Sequence, residues 1–336
     1  MLTKVRLKNF GPLENMDFNG LGGMKLIIGP NGSGKTFLLK ALYCVIKTLE
    51  GYKRGREQRS DSDILVDKLY WTFQPETIGD IVTKGSRYPL SCSVTINDND
   101  FCFSFGKDTT KKIFDIQNDV TSLSSNSIFL PAKEVLSLHR LILKNREEDK
   151  LFGFDDTYYD LAKALRQPPQ RGKNYRSFSE ARKKLESMLG GKVELDEPTG
   201  VWQFKKGNQK VPIGVTAEGV KKIAILDTLL GNRYLNLEST IFSDEPESAL
   251  HPTAISRLLD IITLLAESGN QFFLATHSYF VIKRLYIIAV KKNLSIPIFS
   301  KDDNGWHRTD LKDGMPDNPI IDESIRIYEE EIDLVL

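Results

Sequence analysis

The chain has 336 residues, with 46 Lys+Arg against 45 Asp+Glu and a formal net charge of +1, which excludes binding nucleic acid through overall charge but leaves room for a local basic patch. Hydrophobic residues at 40% and charged residues at 27% describe a folded chain, not a disordered one, and Cys44, Cys92 and Cys102 form neither a disulfide framework nor a zinc-site spacing, so a reducing cytoplasm is expected. No apolar signal core opens the chain and no apolar run reaches a membrane-spanning ~18 residues, since Lys283 and Arg284 interrupt Tyr279 to Val290.

In chain order, Val5, Leu7 and Phe10 predict a first strand and Lys25 to Ile28 a second. From Thr36 the apolar residues Leu38, Ala41, Leu42, Val45, Ile46 and Leu49 predict a helix. Lys53 to Asp63 reads as a surface loop. Leu69 to Phe73, Leu90 to Ile96 and Phe101 to Phe105 read as strands of an antiparallel insertion, the last two joined by a turn at Asn97-Asp98-Asn99-Asp100. Residues 131–214 are more helical and polar, with a strand pair near Lys192 to Leu195 and Trp202 to Lys205. Residues 215–336 alternate again: a helix over Glu218 to Leu230, a strand at Thr240 to Phe242, a helix over Pro252 to Glu267, a strand at Gln271 to Ala275, a helix over Ser278 to Lys291 and a strand at Ile296 to Phe299. Such alternation predicts an α/β fold whose parallel sheet is covered on both faces. The expected divisions are 1–130, 131–214 and 215–336.

The strongest motif is Gly29-Pro30-Asn31-Gly32-Ser33-Gly34-Lys35-Thr36, a full G-x-x-x-x-G-K-[ST] placed after an apolar strand and before a helix. Its glycines let backbone N–H groups wrap a phosphate chain, and the helix N-terminus adds positive potential. Lys35 is expected on the β- and γ-phosphates and the Thr36 hydroxyl on Mg²⁺. The apolar strand ending in Asp244-Glu245-Pro246 predicts a second Mg²⁺ ligand, Asp244, and a residue that polarises the attacking water, Glu245. A third buried strand runs into His277, at the strand end where open α/β sheets bind ligands, within reach of the γ-phosphate or the water.

These motifs together resemble the ABC-type ATPases, the class of transporter ATPase subunits, SMC-like proteins, RecF and the OLD family, in which the phosphate loop, signature, acidic strand end, D-loop and switch histidine occur in this order. The resemblance covers roughly 1–50 and 215–290. Ser248-Ala249-Leu250-His251-Pro252 is similar to the D-loop of the RecF and OLD branch, and Lys4 to Phe10 is similar to its opening strand. It implies an ABC-ATPase-type P-loop fold with a mixed sheet, an antiparallel β lobe and an inserted helical lid at 131–214. The signature would fall at Thr216-Ala217-Glu218-Gly219, departing from the usual Ser-Gly pattern, with Gly219 as its second glycine. The same stretch also reads as a helix N-cap by Thr216 with Glu218 in the first turn. Lys133 or Glu134 at the lid entry either senses the γ-phosphate or is a simple strand-to-helix turn.

The resemblance further implies an ATP site shared between two subunits, hence a homodimer or larger assembly, with ATP and Mg²⁺ as ligands. The stretch after His277 is too short for the TOPRIM domain of OLD nucleases, and Asp302-Asp303 reads as a solvated turn, so a module without its own nuclease is expected. Its energy would then serve a separate effector, as in stand-alone OLD-like ATPases of bacterial antiviral defence. A RecF-like ATPase that binds DNA itself is the competing expectation, and a scaffold with little turnover a third. Arg166, Arg171, Lys173, Arg176, Arg182, Lys183 and Lys184 are either nucleic-acid contacts or a solvated lid face, and Glu329-Glu330-Glu331 a solvated helix face.

Overall fold

The computed structural model describes residues 1–55, 58–170, 172–302 and 305–335, so Arg171 and Asp303 fall outside it. The chain opens with β1 (Leu2–Phe10) and β2 (Leu13–Asn19), then β3 (Met24–Ile28), the glycine-rich loop and α1 (Lys35–Gly51). The sequence does not announce β2: Glu14, Asn15, Asp17 and Asn19 are poor strand formers, and only Leu13, Met16 and Phe18 are buried. Next come α2 (Asp61–Phe73), β4 (Leu90–Ile96), β5 (Asn99–Phe105), β6 (Asp115–Asn118) and β7 (Ile128–Leu130).

Leu69 to Phe73 is helical, not a strand. Ser60 Oγ caps α2 by accepting from the Asp63 N–H, and Ile64, Leu65, Leu69 and Thr72 form its buried face. The expected loop after Lys53 accordingly stops at Ser60. The β4–β5 turn is only two residues, Asn97 and Asp98, with φ of 47° and 65°, the backbone that suits a tight twisted hairpin.

Residues 131–214 hold α3 (His139–Glu147), α4 (Asp156–Leu165), α5 (Arg176–Leu189) and a three-stranded sheet of β8 (Lys192–Asp196), β9 (Val201–Lys206) and β10 (Gln209–Pro212), one strand more than expected. The rest comprises α6 (Glu218–Gly231), β11 (Thr240–Asp244), α7 (Pro252–Glu267), β12 (Gln271–Thr276), α8 (Tyr279–Lys292), β13 (Pro297–Asp302), β14 (Gly305–Asp310) and α9 (Pro319–Val335). Asp302 therefore closes a strand, with its carboxylate 2.9 Å from His307 Nε2. Among the described residues no helix is long and apolar enough to cross a membrane.

The central sheet has the order β14-β13-β3-β12-β11-β7, parallel except for β14. Its middle strands β3, β12 and β11 are buried on both faces, which is why they carry consecutive apolar residues, whereas the edge strand β14 is half-buried or exposed. Side chains alternate between two cores: Leu26, Ile128, Ile241, Phe272, Leu274 and Ile298 face one, and Ile27, Phe129, Phe242, Phe273 and Phe299 the other. The second core is closed by α1 and the antiparallel sheet β2-β1-β4-β5-β6. Inside it Lys25 is fully buried, its Nζ without a hydrogen-bond partner among the described residues and 4.2 Å from the centre of the Phe273 ring.

The first core takes in Val135, Leu161, Phe178 and Trp202 from residues 131–214. Ion pairs add to this seat. Lys40 Nζ of α1 lies 2.5 Å from Asp155 Oδ2, Lys68 Nζ of α2 reaches Asp156 (2.8 Å) and Asp160 (2.6 Å), and Tyr43 O–H donates to Asp160 Oδ2 (2.6 Å).

Candidate nucleotide site

Three adjacent parallel strands, β3, β12 and β11, end on the same side of the sheet, and their register aligns Ile28 with Thr276 and Ala275 with Asp244. The next residues along each strand are Gly29, His277 and Glu245. Ligands in open α/β sheets bind beyond such carboxyl ends.

The loop from Gly29 to Thr36 enters α1 through Gly34, whose φ of 93° is left-handed. A Cβ there would also meet Leu13 Cδ2 at 2.9 Å, so any larger residue meets both strain and a clash. α1 has no side-chain cap and no acid in its first turn, which leaves its N-terminal N–H groups and positive end for an anion. Ser33 Oγ is buried without a hydrogen-bond partner among the described residues, while Pro30, Asn31 and Gly32 are exposed. A phosphate chain fits these features.

Lys35 is folded back on the loop, its Nζ donating to the carbonyls of Gly29 (2.9 Å) and Pro30 (3.0 Å). Burial pushes its ammonium below the usual lysine value, with Asp244, Glu245 and Glu247 pulling the other way. Thr36 Oγ1 donates to Asp244 Oδ2 at 2.8 Å. Burial pushes the Asp244 carboxyl up, and the Thr36 hydrogen bond partly offsets it. A hydroxyl and a carboxylate oxygen this close are the hard-oxygen donors that Mg²⁺ takes alongside phosphate and water.

Glu245 adopts φ of 47°, unusual for a non-glycine residue, with its N–H donating to Ala275 O at 2.8 Å. This turns its side chain towards His277, whose Nδ1 lies 3.3 Å from Glu245 Oε1. Lys35, Thr36, Asp244, Glu245 and His277 thus meet in one place.

Gly219 sits elsewhere. A Cβ on it would lie 2.8 Å from Ala249 O, so glycine is what lets the α6 N-terminus press on the turn after β11. Thr216 does not cap this helix. Its Oγ1 donates back to Ile213 O at 2.7 Å, and the N-cap position belongs to Ala217, which has no capping side chain. Ala217 and Glu218 are exposed. Glu134 accepts from the Ser137 N–H (3.0 Å) and pairs with Lys221 (3.6 Å), so it braces α6, while Lys133 is exposed.

Two further residues join the site that motif reading passes over. Glu247 accepts from Thr276 Oγ1 at 2.5 Å, leaves Oε2 buried without a hydrogen-bond partner among the described residues, and has its carboxyl pushed up by burial. Lys222 of α6 donates to the carbonyl of Glu245. Glu247 could be suspected from its place after Asp244-Glu245-Pro246; a helical lysine carries no local signal.

Residues 26–283 match the family model described as "AAA domain, putative AbiEii toxin, Type IV TA system". The chain is 23% identical over 327 residues to an ATP/GTP phosphatase of Helicobacter pylori, covering 83% of this chain and 85% of that protein. It is 22% identical over 317 residues to an OLD nuclease of Thermus scotoductus, covering 83% of this chain and 59% of the nuclease. A 67-residue segment, 19% of each chain, is 37% identical to the DNA replication and repair protein RecF of Erwinia tasmaniensis. Among solved structures, an SMC head bound to the C-terminal winged-helix domain of ScpA superposes with a TM-score of 0.55 at 15% identity, over 92% of this chain and 97% of that one. An SMC head with an extended coiled coil, bound to the C-terminal domain of ScpA, the structure derived from Pyrococcus furiosus, gives 0.53 at 14% identity over 98% of each chain. At that identity the likeness concerns the fold.

Proposed function

The chain belongs to this AAA-domain family, as an ABC-type ATPase of the branch that includes RecF, OLD and SMC heads, and from that premise we propose that two copies close around ATP and Mg²⁺ and that slow hydrolysis controls a separate effector protein. The observation that carries the reading is the meeting of Lys35, Thr36, Asp244, Glu245 and His277 at the ends of three neighbouring strands.

In this mechanism Lys35 leaves the Gly29 and Pro30 carbonyls and places its ammonium between the β- and γ-phosphates. Thr36 Oγ1 and Asp244 would hold Mg²⁺, which would supply charge neutralisation on the phosphate oxygens. Glu245 accepts a hydrogen bond from the attacking water and orients its oxygen toward the γ-phosphorus; the bond to the bridging oxygen of ADP breaks as the new P–O bond forms, and the water's proton passes to the Glu245 carboxylate and from there to the released phosphate. His277, beside Glu245, steadies that carboxylate or the γ-phosphate. The Gly219 end of α6 serves the nucleotide of the second copy, since its exposed N-terminus faces outward.

An effector in antiviral defence suits the toxin and toxin–antitoxin system in the family's description and the OLD nuclease relationship. The test is purification of the tagged chain from its native host with ATP, ADP or no nucleotide. A protein held only in the ATP state supports the proposal, and identical protein sets in all three states reject it.

A DNA-binding role has one observation in its favour. The basic stretch of the lid divides in the structure: Arg182 is bound to Asp227 at 2.9 Å and Lys184 to Glu180 at 2.8 Å, but Lys173, Arg176 and Lys183 are exposed and without an ion pair among the described residues. Reversing those three charges separates the readings. Steeply salt-dependent DNA binding that is lost in the variant favours direct DNA contact.

A further inference from the structure

Lys222 lies on the first turns of α6 and is only partly exposed. Its Nζ donates to two groups on the turn after β11, the Glu245 carbonyl and Ser248 Oγ, the latter at 2.9 Å. Ser248 Oγ in turn donates to Ala132 O, at the lid entry, at 2.8 Å. Burial pushes the Lys222 ammonium down to about 8, with Glu247, Glu245 and Asp244 pulling the other way, so it is not a solvated surface lysine.

The Glu245 backbone is therefore gripped at both ends. Its N–H is held by Ala275 O of β12, and its carbonyl by Lys222 of α6. Between these grips sits a residue with φ of 47°, a conformation that surrounding structure must enforce. The close approach at Gly219 removes slack from the arrangement: a Cβ added there would lie 2.8 Å from Ala249 O, so the α6 backbone already packs against the Glu245–Leu250 turn and has little room to shift inward without moving it.

We propose that Lys222 is a positioning residue that sets the orientation of the Glu245 carboxylate and moves it whenever the N-terminus of α6 moves. The inference rests on the ATPase reading above. Under that reading the α6 N-terminus meets the second copy's nucleotide, so occupancy of one site re-aims the water-orienting glutamate of the other. Lys222 is then the physical link between two sites that share no side chain.

The test is steady-state ATP hydrolysis by the full chain and by Lys222→Met and Lys222→Arg, with fluorescent-nucleotide binding and thermal melting measured on each. Methionine keeps the apolar stem and removes the donor; arginine restores a donor. The expected result for Lys222→Met is a kcat lowered about 10- to 100-fold, the range for a catalytic group misplaced by about 1 Å. Its ATP affinity should stay within about threefold, any sigmoidal dependence on ATP should be lost, and Lys222→Arg should recover most of the rate. A Lys222→Met rate within twofold of the unmodified chain overturns the inference. So does a parallel loss of rate, affinity and melting temperature that arginine does not rescue, which would make Lys222 a packing residue. Absence of hydrolysis by the unmodified chain overturns the ATPase reading instead.

Discussion

Thr36 Oγ1 donates a 2.8 Å hydrogen bond to Asp244 Oδ2, across 208 residues of sequence. The bond joins the first turn of α1 to the end of β11, so the two oxygens proposed for the cation are set by the packing of a helix on a sheet and not by a loop. Tyr43 of α1 maintains that packing with edge-to-face contacts on Phe129 and Phe242.

Lys35→Ala removes the only fixed ammonium of the phosphate loop. Hydrolysis is expected to fall by at least about 10²-fold, equivalent to roughly 3 kcal/mol of lost transition-state stabilisation, and nucleotide binding to weaken. Phosphate release and fluorescent-nucleotide titration measure the two effects. Unchanged turnover would remove Lys35 from the mechanism.

Glu245→Gln keeps the shape of the side chain and its approach to His277 while losing the carboxylate. Turnover is expected to drop by about 10²–10⁴-fold with ATP binding retained. The trapped ATP state should run as a dimer or larger even-numbered assembly in light scattering. A mass that stays monomeric with ATP argues against closure around the nucleotide.

Gly219→Ala and Gly219→Asp separate packing from charge. Both place a Cβ 2.8 Å from Ala249 O, closer than an ordinary contact, and both are expected to lower stability by about 1–3 kcal/mol, seen as a lower melting temperature. The aspartate adds a carboxylate at a helix N-terminus proposed to face the partner's phosphates, so ATP-driven dimerisation should suffer more than with alanine. Equal dimerisation of the two variants would detach Gly219 from the second site.

Lys25→Met tests the buried amine beside Phe273. Burial pushes its ammonium well below the ordinary value of 10.5, so between that lowered value and 10.5 the folded chain holds fewer protons at this position than the unfolded one. Its burial therefore costs stability at neutral pH, and the cost fades as pH rises toward 10.5. Methionine is expected to stabilise the chain by about 1–4 kcal/mol near pH 7 and by less at pH 10, read from urea unfolding. A destabilised variant at pH 7 would mean that the amine has a role the fold depends on.

Legibility of the sequence followed the range of the interactions involved. The phosphate loop is written in consecutive residues because its function needs glycines and a lysine at fixed offsets. β11 and β12 are plain because burial on both faces gives them consecutive apolar residues, Ile241-Phe242 and Phe272 to Ala275. Leu69 to Phe73 misleads because five residues rich in aromatics fit a strand, and only the Ser60 cap and the spacing back to Ile64 reveal a helix. β2 hides because Asp and Asn occupy its open face. Thr216 has the right chemistry for a cap, yet its hydroxyl bonds backward to Ile213. Lys222 could not be found at all, since its partners are contributed by a turn that only tertiary structure brings to α6.

The ion pairs from α1 and α2 to Asp155, Asp156 and Asp160 have a consequence for how the molecule breathes. Amide protons of α4 cannot open to solvent without stripping Lys68 and Tyr43 of their partners inside the core, so hydrogen exchange in α4 should track that of α1 as one cooperative unit. Among the described residues the β8–β10 sheet, whose β10 is exposed throughout, has no such ion pair to α1 or α2 and should exchange first.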